Sequence, residues 1–494
     1  MAKCIMVQGT MSGVGKSLLA AALCRIFTQD GYRTAPFKSQ NMALNSHITL
    51  DGLEMGRAQA VQAQAAGKEP DVRMNPVLLK PSSDTGSQLI VNGEVRGDYA
   101  ARDYFRMKKT LVPEILAAYR SLCAENDILV IEGAGSPAEI NLKAYDIVNM
   151  CLAELVNAPV LLVGDIDRGG VFAQLFGTVT LLEPQERKRI VGTVINKFRG
   201  DVEILRPGLA MLEEKTGIPV LGVVPYTRAQ IDEEDSLAPV LNETRVHKPI
   251  DIAVIRLPRI SNFTDFTPLE YHPALGVRFV RSLRELETPD MVILPGTKNT
   301  MDDLLWLRGS GLEAAVLKLA ARGTPVLGVC GGFQMLGTTL SDPEGAEHGG
   351  AMAGMGLLPC ETVFASAKTR TRVTARVSAA PFGQAALEGY EIHMGRTTGP
   401  AEPFCVLGDG RPEGAARENV FGTYLHGLFD SGELTEKLAA WLLARKGLSP
   451  ESAAVESHRA FQERQFNLLA DEVRAALDMP AVYRAMEAYE EKCL

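Results

Sequence analysis

The chain has 494 residues, of which 46% are hydrophobic and 22% are charged, and its net charge is −9. This composition is ordinary for a soluble globular protein, and the length predicts two or three domains. The negative charge argues against non-specific nucleic-acid binding, and no apolar run is long enough to span a bilayer. We therefore expect the protein to bind neither nucleic acid nor a membrane. The eight cysteines are scattered and form no CxxC pair, which favours reduced thiols in a cytoplasmic protein.

Short apolar runs alternate with helical stretches through the first half of the chain. The runs predicted as buried strands are Cys4–Gln8, Ile128–Glu132, Val160–Gly164, Val191–Asn196 and Val220–Val224. Continuous apolar strands separated by amphipathic helices are typical of a parallel α/β sheet. We therefore predict a first domain over residues 1–235, joined to the rest of the chain by a polar, Pro-containing linker over residues 236–249.

A second α/β pattern begins at residue 250, and we predict a second domain over residues 250–440. Its predicted strands are Ile250–Ile255, Met291–Leu294 and Pro325–Val329, and residues from about 355 to 424 are richer in strand patterns. Residues 441–494 are predicted to form a C-terminal helical extension. Within it, Leu469, Val473 and Leu477 recur every four residues, which indicates one buried face of a packing helix.

A glycine-rich loop follows the first predicted strand and precedes a helix. It reads Gly9-Thr10-Met11-Ser12-Gly13-Val14-Gly15-Lys16-Ser17. Backbone N–H groups of such a loop, with the helix N-terminus, cradle phosphate oxygens. We predict an ATP site that includes Gly13, Gly15, Lys16 and Ser17, in which the lysine reaches the β- and γ-phosphates and the serine hydroxyl binds Mg²⁺. The spacing departs from the usual GxxxxGK[ST], since residue 10 is threonine rather than glycine.

Three further polar residues follow predicted strands in this half. Glu132 ends a buried strand, where its carboxylate would supply a second contact for Mg²⁺; the alternative is a surface glutamate at a turn. Lys38 lies after the second predicted strand and would contact phosphate or a substrate carboxylate; the alternative is a solvated lysine. Asn196 closes another predicted strand.

The second half contains a cysteine in the form Gly-x-Cys-x-Gly, with Cys330 at its centre and His426 about a hundred residues later. Such a sequence after a strand is typical of a nucleophile elbow. The Cys330 thiolate would attack a carboxamide carbon, and His426 would protonate the departing ammonia. We predict an oxyanion hole from the N–H groups of Gly296 and Gly331, and a glutamine contact from Gln334. The alternatives are an inert buried cysteine and a core histidine.

These motifs resemble those of two known families. The phosphate loop is similar to that of dethiobiotin synthetase, in which an asparagine at the place of Asn196 reads the adenine edge. The second half resembles the class I glutamine amidotransferases. That family usually carries His-x-Glu, whereas the residues here are His426-Gly427-Leu428. We therefore expect a Cys–His dyad without the third member, assisted by Glu391 or by a backbone carbonyl.

The combination of the two halves resembles the CobB/CobQ glutamine amidotransferase group. The motifs that carry the resemblance are the phosphate loop, Phe37–Ala43, Gly56–Gln59, Asn75–Pro81, Glu132–Leu142, Asp146–Met150, Asp165–Phe172, Ser261–Asp265 and Arg464–Leu477. The resemblance implies an α/β protein with an N-terminal dethiobiotin-synthetase-like P-loop domain built on a parallel sheet. It also implies a C-terminal class I glutamine-amidotransferase-like α/β domain and a helical tail.

The resemblance is strongest to the branch of this group that amidates four peripheral carboxylates (b, d, e and g) of adenosylcobyrinic acid a,c-diamide in cobalamin biosynthesis. It implies ATP and Mg²⁺ as cofactors, acyl-phosphate intermediates and ammonia from glutamine. The adenosylcobalt corrinoid is then a substrate and not a cofactor, and the partners are the small molecules ATP, glutamine and corrinoid. The residues predicted to bind the corrinoid are Lys38, Gln40, Asn41, Arg57, Lys80, Asp146 and Arg168.

Other readings stay open at this point. A sister branch of the group shares the chemistry but acts on the a and c carboxylates of cobyrinic acid. More distant alternatives are an amidotransferase for a cell-wall lipid precursor and a non-catalytic nucleotide switch with a degenerate glutaminase domain. The retention of both Cys330 and His426 argues against the switch. No motif predicts the order of the four amidations or the oligomeric state.

Overall fold

Two compact units make up the chain in the structure, a computed structural model that describes residues 2–81, 86–231, 248–449 and 458–490. Unit 1 comprises residues 2–43, 53–231 and 462–490 of the described part, and unit 2 comprises residues 44–52, 248–449 and 458–461. Residues 236–247 of the predicted linker lie outside the described residues. The domain boundaries given above stay a prediction. Residues 44–52 belong to unit 2 although they lie in the first half of the sequence, and residues 462–490 belong to unit 1 although they lie near its end.

Strands and helices are numbered here in chain order. The strands of the first half are β1 (Lys3–Gly9), β2 (Thr34–Phe37), β3 (Gln40–Met42), β4 (Ser46–Ile48), β5 (Glu54–Gly56), β6 (Val77–Pro81), β7 (Gly86–Val91), β8 (Glu94–Ala100), β9 (Ile128–Glu132), β10 (Val160–Asp165), β11 (Ile190–Phe198) and β12 (Val220–Pro225). The helices are α1 (Lys16–Gln29), α2 (Arg57–Ala65), α3 (Ala101–Met107), α4 (Val112–Glu125), α5 (Met150–Leu155), α6 (Val171–Leu181), α7 (Pro184–Arg187) and α8 (Val202–Thr216). Of these elements, β4 belongs to unit 2.

The main sheet of unit 1 is parallel, with strand order β12-β11-β10-β1-β9-β2. Strands β9 and β10 are buried along their whole length, because helices cover both faces of such a sheet and leave no polar side. All the apolar runs predicted as strands in this half lie in this sheet. A smaller sheet with order β3-β6-β7-β8 was not predicted.

The second half carries longer antiparallel strands. Its strands are β13 (Ile250–Ile255), β14 (Leu275–Val280), β15 (Met291–Leu294), β16 (Val326–Val329), β17 (Thr339–Asp342), β18 (Gly350–Ala353), β19 (Glu361–Val377), β20 (Ala386–Thr398), β21 (Cys405–Leu407), β22 (Pro412–Glu413), β23 (Ala415–Arg417), β24 (Val420–Thr423) and β25 (Leu425–His426). The helices are α9 (Thr267–Tyr271), α10 (Leu283–Leu286), α11 (Thr300–Gly309), α12 (Leu312–Ala321), α13 (Gly331–Leu336), α14 (Glu433–Arg445), α15 (His458–Ala476) and α16 (Met479–Glu490).

Unit 2 is organised around a central sheet with order β14-β13-β15-β16-β24-β23, in which only the β23–β24 pair is antiparallel among the described strands. A second sheet, β18-β17-β19-β20-β25, contains the long β19–β20 pair, which lies in the region predicted to be rich in strands. The last strand of this second sheet is β25, in which His426 pairs with Tyr390 of β20.

The C-terminal helices complete the core of unit 1. Leu469 and Val473 of α15, with Leu477 just after it, are at most 7% exposed and share a hydrophobic cluster with Ile5 and Val7 of β1. The predicted packing face of this helix is therefore confirmed. In the described part of the chain, no helix combines the length and the apolarity that a membrane crossing needs.

Candidate active sites

In each unit, polar residues follow the carboxyl ends of neighbouring parallel strands. In unit 1 they follow β1, β2, β9 and β11, and in unit 2 they follow β13, β15, β16 and β24. The carboxyl ends of parallel strands meet at one edge of a sheet, where open α/β folds bind their ligands. Each unit therefore has one candidate site at this edge.

The glycine-rich loop of unit 1 runs from the end of β1 to the start of α1. Gly13 and Gly15 have φ of 73° and 94°, a left-handed backbone conformation that residues other than glycine rarely adopt. A Cβ atom on Gly15 would also lie 2.2 Å from the side-chain nitrogen of Asn196. The loop therefore has the backbone that the sequence predicts for a phosphate cradle, with α1 beginning at Lys16.

Lys16 lies buried in this loop, where its ammonium donates to the carbonyl oxygens of Met11 (3.0 Å) and Gly135 (3.2 Å). Burial lowers the pKa of Lys16, the carboxylate of Glu132 raises it and the cation of Lys38 lowers it, with a result of about 8. The anionic oxygens of a bound polyphosphate would raise this pKa again, because an opposite charge favours the ammonium form. We therefore expect Lys16 to be protonated when a nucleotide is bound.

Glu132 is the centre of a buried polar cluster at the end of β9. Its Oε1 accepts hydrogen bonds from Ser17 Oγ (2.8 Å) and Lys38 Nζ (2.9 Å). Its Oε2 accepts from Gln62 Nε2 (2.6 Å) and Gln59 Nε2 (3.3 Å). Burial would raise the pKa of Glu132, but the charge of Lys38 and these hydrogen bonds lower it below the usual value. Glu132 is therefore an ionised carboxylate and not a surface residue at a turn, and Lys38 is not a solvated lysine.

The pair formed by Ser17 and Glu132 fits Mg²⁺. Ser17 Oγ and Glu132 Oε1, which lie 2.8 Å apart, are the two oxygen atoms that would hold the ion. Hydroxyl and carboxylate oxygens are the ligands that this ion prefers. Among the described residues no group of three or more His, Cys, Asp or Glu side chains could hold a metal by itself. The remaining ligands would therefore be phosphate oxygens and water, as is usual for Mg²⁺ in nucleotide sites.

Asn196 and its neighbour Lys197 tie the end of β11 to the phosphate loop. Asn196 Nδ2 donates to the carbonyl oxygen of Val14 (2.8 Å). Lys197, which has a φ of 61°, donates to the carbonyl oxygen of Gly13 (2.6 Å) and to the buried carboxylate of Asp165 (2.8 Å). The adenine contact of Asn196 stays a prediction. The roles of Lys197 and Asp165 were missed, because neither the left-handed backbone nor the contact across strands is visible in a local motif.

Some of the residues predicted to bind the corrinoid lie in one network with Glu132. Asn41 Nδ2 donates to Gln59 Oε1 (3.1 Å), and Gln59 reaches Glu132. Lys38 contacts Glu132 directly. Gln40 Oε1 accepts from the hydroxyl of Tyr104 (2.5 Å). Lys38 and Asn41 are therefore part of the buried polar cluster around Glu132, and their contact with a corrinoid stays a prediction.

The other predicted corrinoid residues have different surroundings. Lys80 is buried and pairs with the buried Glu54 at 2.8 Å. Arg57 is buried at the start of α2. The carboxylate of Asp146 accepts from three backbone N–H groups before and within α5, which gives it a structural role at the start of that helix. Arg168 is exposed in the loop before α6. Contact of all these residues with a corrinoid stays a prediction.

The predicted nucleophile elbow is present in unit 2. Cys330 lies between β16 and α13 with φ 52° and ψ −110°, a conformation that is rare for a residue with a side chain. A Cβ atom on Gly332 would lie 1.9 Å from the carbonyl oxygen of Leu294. The turn therefore depends on a glycine at this position, because the neighbouring strand β15 leaves no room for a side chain.

We expect Gly332→Ala to lower the free energy of unfolding by about 2 kcal/mol or more, because a backbone atom, which cannot move aside, occupies the place of the new Cβ. Urea denaturation followed by circular dichroism measures this change. Gly177→Ala is the matched control, since Gly177 lies inside α6 with no atom within 4 Å of its Cβ position. The control should gain up to about 1 kcal/mol from helix propensity. Equal effects of the two substitutions would contradict the packing argument.

His426 has an acidic partner in the structure. Its Nδ1 lies 2.6 Å from Asp265 Oδ2, and the other carboxylate oxygen of Asp265 accepts from the backbone N–H of Gly427 (3.1 Å). Both side chains are buried. Burial lowers the pKa of His426, but the charge and hydrogen bond of Asp265, with those of Cys330, outweigh burial and raise it to about 10. These contacts favour the imidazolium form of His426, held by the carboxylate of Asp265.

The expectation that His426 has no acidic third partner is therefore wrong. Asp265 lies in the 3-10 turn Phe263–Phe266, after β13 and 161 residues before the histidine. Glu391, the alternative named above, instead lies 3.8 Å from His393 and 3.6 Å from Arg411. The segment Ser261–Asp265 was recognised as a motif, but its link to His426 depends on strand order. Asp265 follows β13 in the chain and His426 follows β24. The carboxyl ends of these two strands lie at the same edge of the central sheet.

We expect Asp265→Asn to lower the kcat of glutamine hydrolysis by about 10²–10⁴-fold, because the amide can neither fix the imidazole nor stabilise its charge. The pKa of His426 should fall, since the carboxylate that raises it is lost. The alkaline limb of the pH–rate profile should consequently move to lower pH. Glutamate release measured across the pH range tests both effects. An unchanged alkaline limb would show that Asp265 does not support the imidazolium.

The predicted oxyanion donors Gly296 and Gly331 lie in the turn after β15 and at the start of α13. A Cβ on Gly296 would be 3.2 Å from Cε1 of His426, and a Cβ on Gly331 would be 2.7 Å from Cγ2 of Thr297. The turn after β15 therefore lies against both the imidazole and the start of α13, whose first N–H groups have no partner within the helix. Their use as oxyanion donors stays a prediction.

Gln334 lies in the wall of the same site. Its Oε1 accepts from Thr300 Oγ1 (2.9 Å), and its Nε2 donates to the Met394 carbonyl (2.9 Å) and the Tyr424 hydroxyl (3.2 Å). In this arrangement the side chain joins α11, α13 and β20. Its predicted contact with glutamine stays a prediction.

Comparison with known proteins assigns both units to described families. Residues 5–240 match the CobQ/CobB/MinD/ParA nucleotide binding domain, and residues 251–434 match the CobB/CobQ-like glutamine amidotransferase domain. The cobyric acid synthase of Ruminiclostridium cellulolyticum is 55% identical over 99% of this chain and 98% of its own length. The chain belongs to the cobyric acid synthase family. The family member of Lachnoclostridium phytofermentans is 54% identical and that of Citrobacter koseri 50% identical, each over 99% of this chain and at least 99% of its own length.

Membership of the cobyric acid synthase family confirms the predicted group, the α/β fold class and the prediction of an ATP-dependent, glutamine-hydrolysing amide ligase of cobalamin biosynthesis. The use of ATP and the small-molecule substrate class follow in the same way. A solved structure described as a glutamine amidotransferase aligns with a TM-score of 0.30 at 18% identity over 40% of this chain and 99% of that one, too low to support any argument.

Proposed function

We propose that the protein converts adenosylcobyrinic acid a,c-diamide to adenosylcobyric acid by amidating the b, d, e and g carboxylates, with one ATP and one glutamine for each amide. The support is the similarity to cobyric acid synthases over 99% of the chain, together with two sites whose residues supply the two half-reactions. The sister reaction on the a and c carboxylates is the alternative for the same chemistry.

Glutamine hydrolysis belongs to unit 2. The Cys330 thiolate attacks the side-chain carboxamide carbon, and the tetrahedral intermediate collapses as His426 gives its proton to the leaving ammonia. The resulting thioester is hydrolysed to glutamate when His426 takes a proton from water. Asp265, 2.6 Å from Nδ1, keeps the other imidazole nitrogen directed toward the thiol. Gly296 and Gly331 are the proposed donors to the oxyanion.

Activation of the acceptor carboxylate belongs to unit 1. A corrinoid carboxylate oxygen attacks the γ-phosphorus of ATP, ADP leaves, and an acyl phosphate forms; ammonia then displaces inorganic phosphate and leaves the amide. Lys16 supplies positive charge at the phosphate loop, and Lys38 supplies it beside Glu132. Ser17 and Glu132 are the residues that would hold Mg²⁺, which when bound neutralises charge on the transferred phosphoryl group.

Mass spectrometry of the corrinoid tests this proposal. The protein is incubated with adenosylated cobyrinic acid a,c-diamide, glutamine and Mg·ATP, and a parallel reaction contains cobyrinic acid. We expect four successive amidations of the diamide and no amidation of cobyrinic acid at the a and c positions. Amidation of cobyrinic acid alone would assign the protein to the sister reaction. No change in either substrate would contradict amidation of a corrinoid.

A further inference from the structure

A nine-residue segment of the first half of the sequence belongs to the glutaminase unit. Residues 44–52, called the strap below, lie in the sequence between β3 and β5. They also lie within residues 5–240, which match the nucleotide binding domain, and outside residues 251–434, which match the amidotransferase domain. In the structure the strap nevertheless packs as part of unit 2.

The strap packs against β20, and in particular against Tyr390 of that strand. Ile48 is fully buried and forms a hydrophobic cluster with Tyr390 and Ile392. The backbone carbonyl of Ser46 accepts a hydrogen bond from the Tyr390 hydroxyl (3.3 Å). The ring of Tyr390 is therefore held both on its apolar side and at its hydroxyl.

Tyr390 in turn lies on the catalytic histidine. It is the cross-strand neighbour of His426, and the two rings stack with their centroids 5.3 Å apart and an interplanar angle of 21°. Both residues are buried, at 6% and 1% exposure. The imidazole can keep Nδ1 on Asp265 and its other edge toward Cys330 only in one ring orientation. A ring packed flat against it restricts the rotation that would break both contacts.

The strap also contacts Asn262 and Ile392, two residues that are hydrogen-bonded to the acid and to the thiol of the same site. Ser46 N–H donates to Asn262 Oδ1 (3.1 Å), and Asn262, with φ of 51°, begins the 3-10 turn that carries Asp265. The carbonyl of Asn262 accepts from the backbone N–H of Asp265 (3.0 Å). On the other side, the carbonyl of Ile392, a neighbour of Ile48, accepts from Cys330 Sγ (3.5 Å).

We infer that the strap is a positioning element of the glutaminase site, acting through Tyr390 on the ring of His426 and through Asn262 on the turn of Asp265. The amidotransferase unit therefore takes part of its site from the sequence of the nucleotide-binding half. The inference rests on the proposed function only in taking Cys330 and His426 as the glutaminase pair. Tyr390 acts through the imidazole of His426, so its loss should lower kcat and leave the KM for glutamine nearly unchanged.

Reaction of Cys330 with iodoacetamide, followed by mass spectrometry of the Cys330 peptide, tests the inference without any turnover. Only the thiolate reacts, so the rate reports whether His426 is in place. We expect the rate to fall about 10- to 100-fold in Tyr390→Leu and by a smaller factor in Ile48→Ala and in Tyr390→Phe, which keeps the ring. The kcat for glutamate release should fall by similar factors, while amidation with ammonium salts stays within about twofold of the unaltered protein.

Leu438→Ala is the matched control for Ile48→Ala, since Leu438 is 2% exposed in the core of unit 2 and lies on α14, which carries none of the predicted site residues. Its alkylation rate should be unchanged. Equal losses in Ile48→Ala and Leu438→Ala would reduce the effect to general packing and overturn the inference, as would normal alkylation in Tyr390→Leu. If the unaltered protein alkylates rapidly at Cys330 but releases no glutamate, the proposed function fails, and the order of alkylation rates still decides the role of the strap.

Discussion

Cys330→Ala is expected to reduce glutamine-dependent amidation by more than about 10³-fold while ammonium-dependent amidation continues at the rate of the unaltered protein. The thiol is the only nucleophile that the elbow presents beside His426, so its loss stops release of ammonia from glutamine. Supplied ammonia bypasses this step, and the phosphate site of unit 1 is untouched. The measurement is the rate of amide formation by mass spectrometry with each nitrogen source.

Cys360→Ala serves as the control for this substitution. Cys360 is also a buried thiol of unit 2, and burial raises its pKa, so it should be unreactive. Its alanine variant should retain both activities. Loss of ammonium-dependent amidation in Cys330→Ala would show that the substitution disturbs more than the nucleophile. Retained glutamine-dependent amidation would remove Cys330 from the mechanism.

Lys16→Ala is expected to lower amidation by about 10²–10³-fold with either nitrogen source, because it removes the cation that we propose stabilises the transferred phosphoryl group. Glutamine hydrolysis at Cys330 needs no phosphate and should persist when it is measured alone. The pattern is thus the reverse of that for Cys330→Ala. Rates of ADP formation and of glutamate release, measured in the same reactions, separate the two half-reactions.

The exposed Lys215 near the end of α8 provides the control for charge, and Lys215→Ala should leave both rates unchanged. Lys16→Arg is a second useful variant, since it keeps the charge but not the compact ammonium that fits between Met11 and Gly135. Ammonium-dependent amidation within about threefold of normal in Lys16→Ala would mean that the loop is not the phosphoryl-transfer site.

The sequence predicts those parts of the sites that a few neighbouring residues determine. The phosphate loop and the nucleophile elbow depend on glycines at fixed positions in tight turns, and such turns leave a local signature. Glu132 was also predictable, because it ends a continuous apolar strand. The main parallel sheets follow for the same reason, since each buried strand is an uninterrupted apolar run.

Contacts that depend on the order of strands were not predicted. Asp265 meets His426 only because β13 and β24 lie in one sheet, and Lys197 meets Gly13 because β11 and β1 do. No periodicity in the chain encodes that order. The contacts of Gln59 and Gln62 with Glu132 come from one face of α2, where a polar helix face resembles a solvated one in sequence. The sequence does not show that the strap belongs to unit 2, because the residues on both sides of it belong to unit 1.

The exchange of segments between the units limits how the gene could be divided. A cut between residues 231 and 248 would give a first polypeptide without the helix that places Leu469 and Val473 beside Ile5. The second polypeptide would lack Ile48, which is buried against Tyr390. Each product would lack side chains of its hydrophobic core, so we expect neither to fold stably by itself. One cut in the chain therefore cannot separate the two units without leaving both cores incomplete.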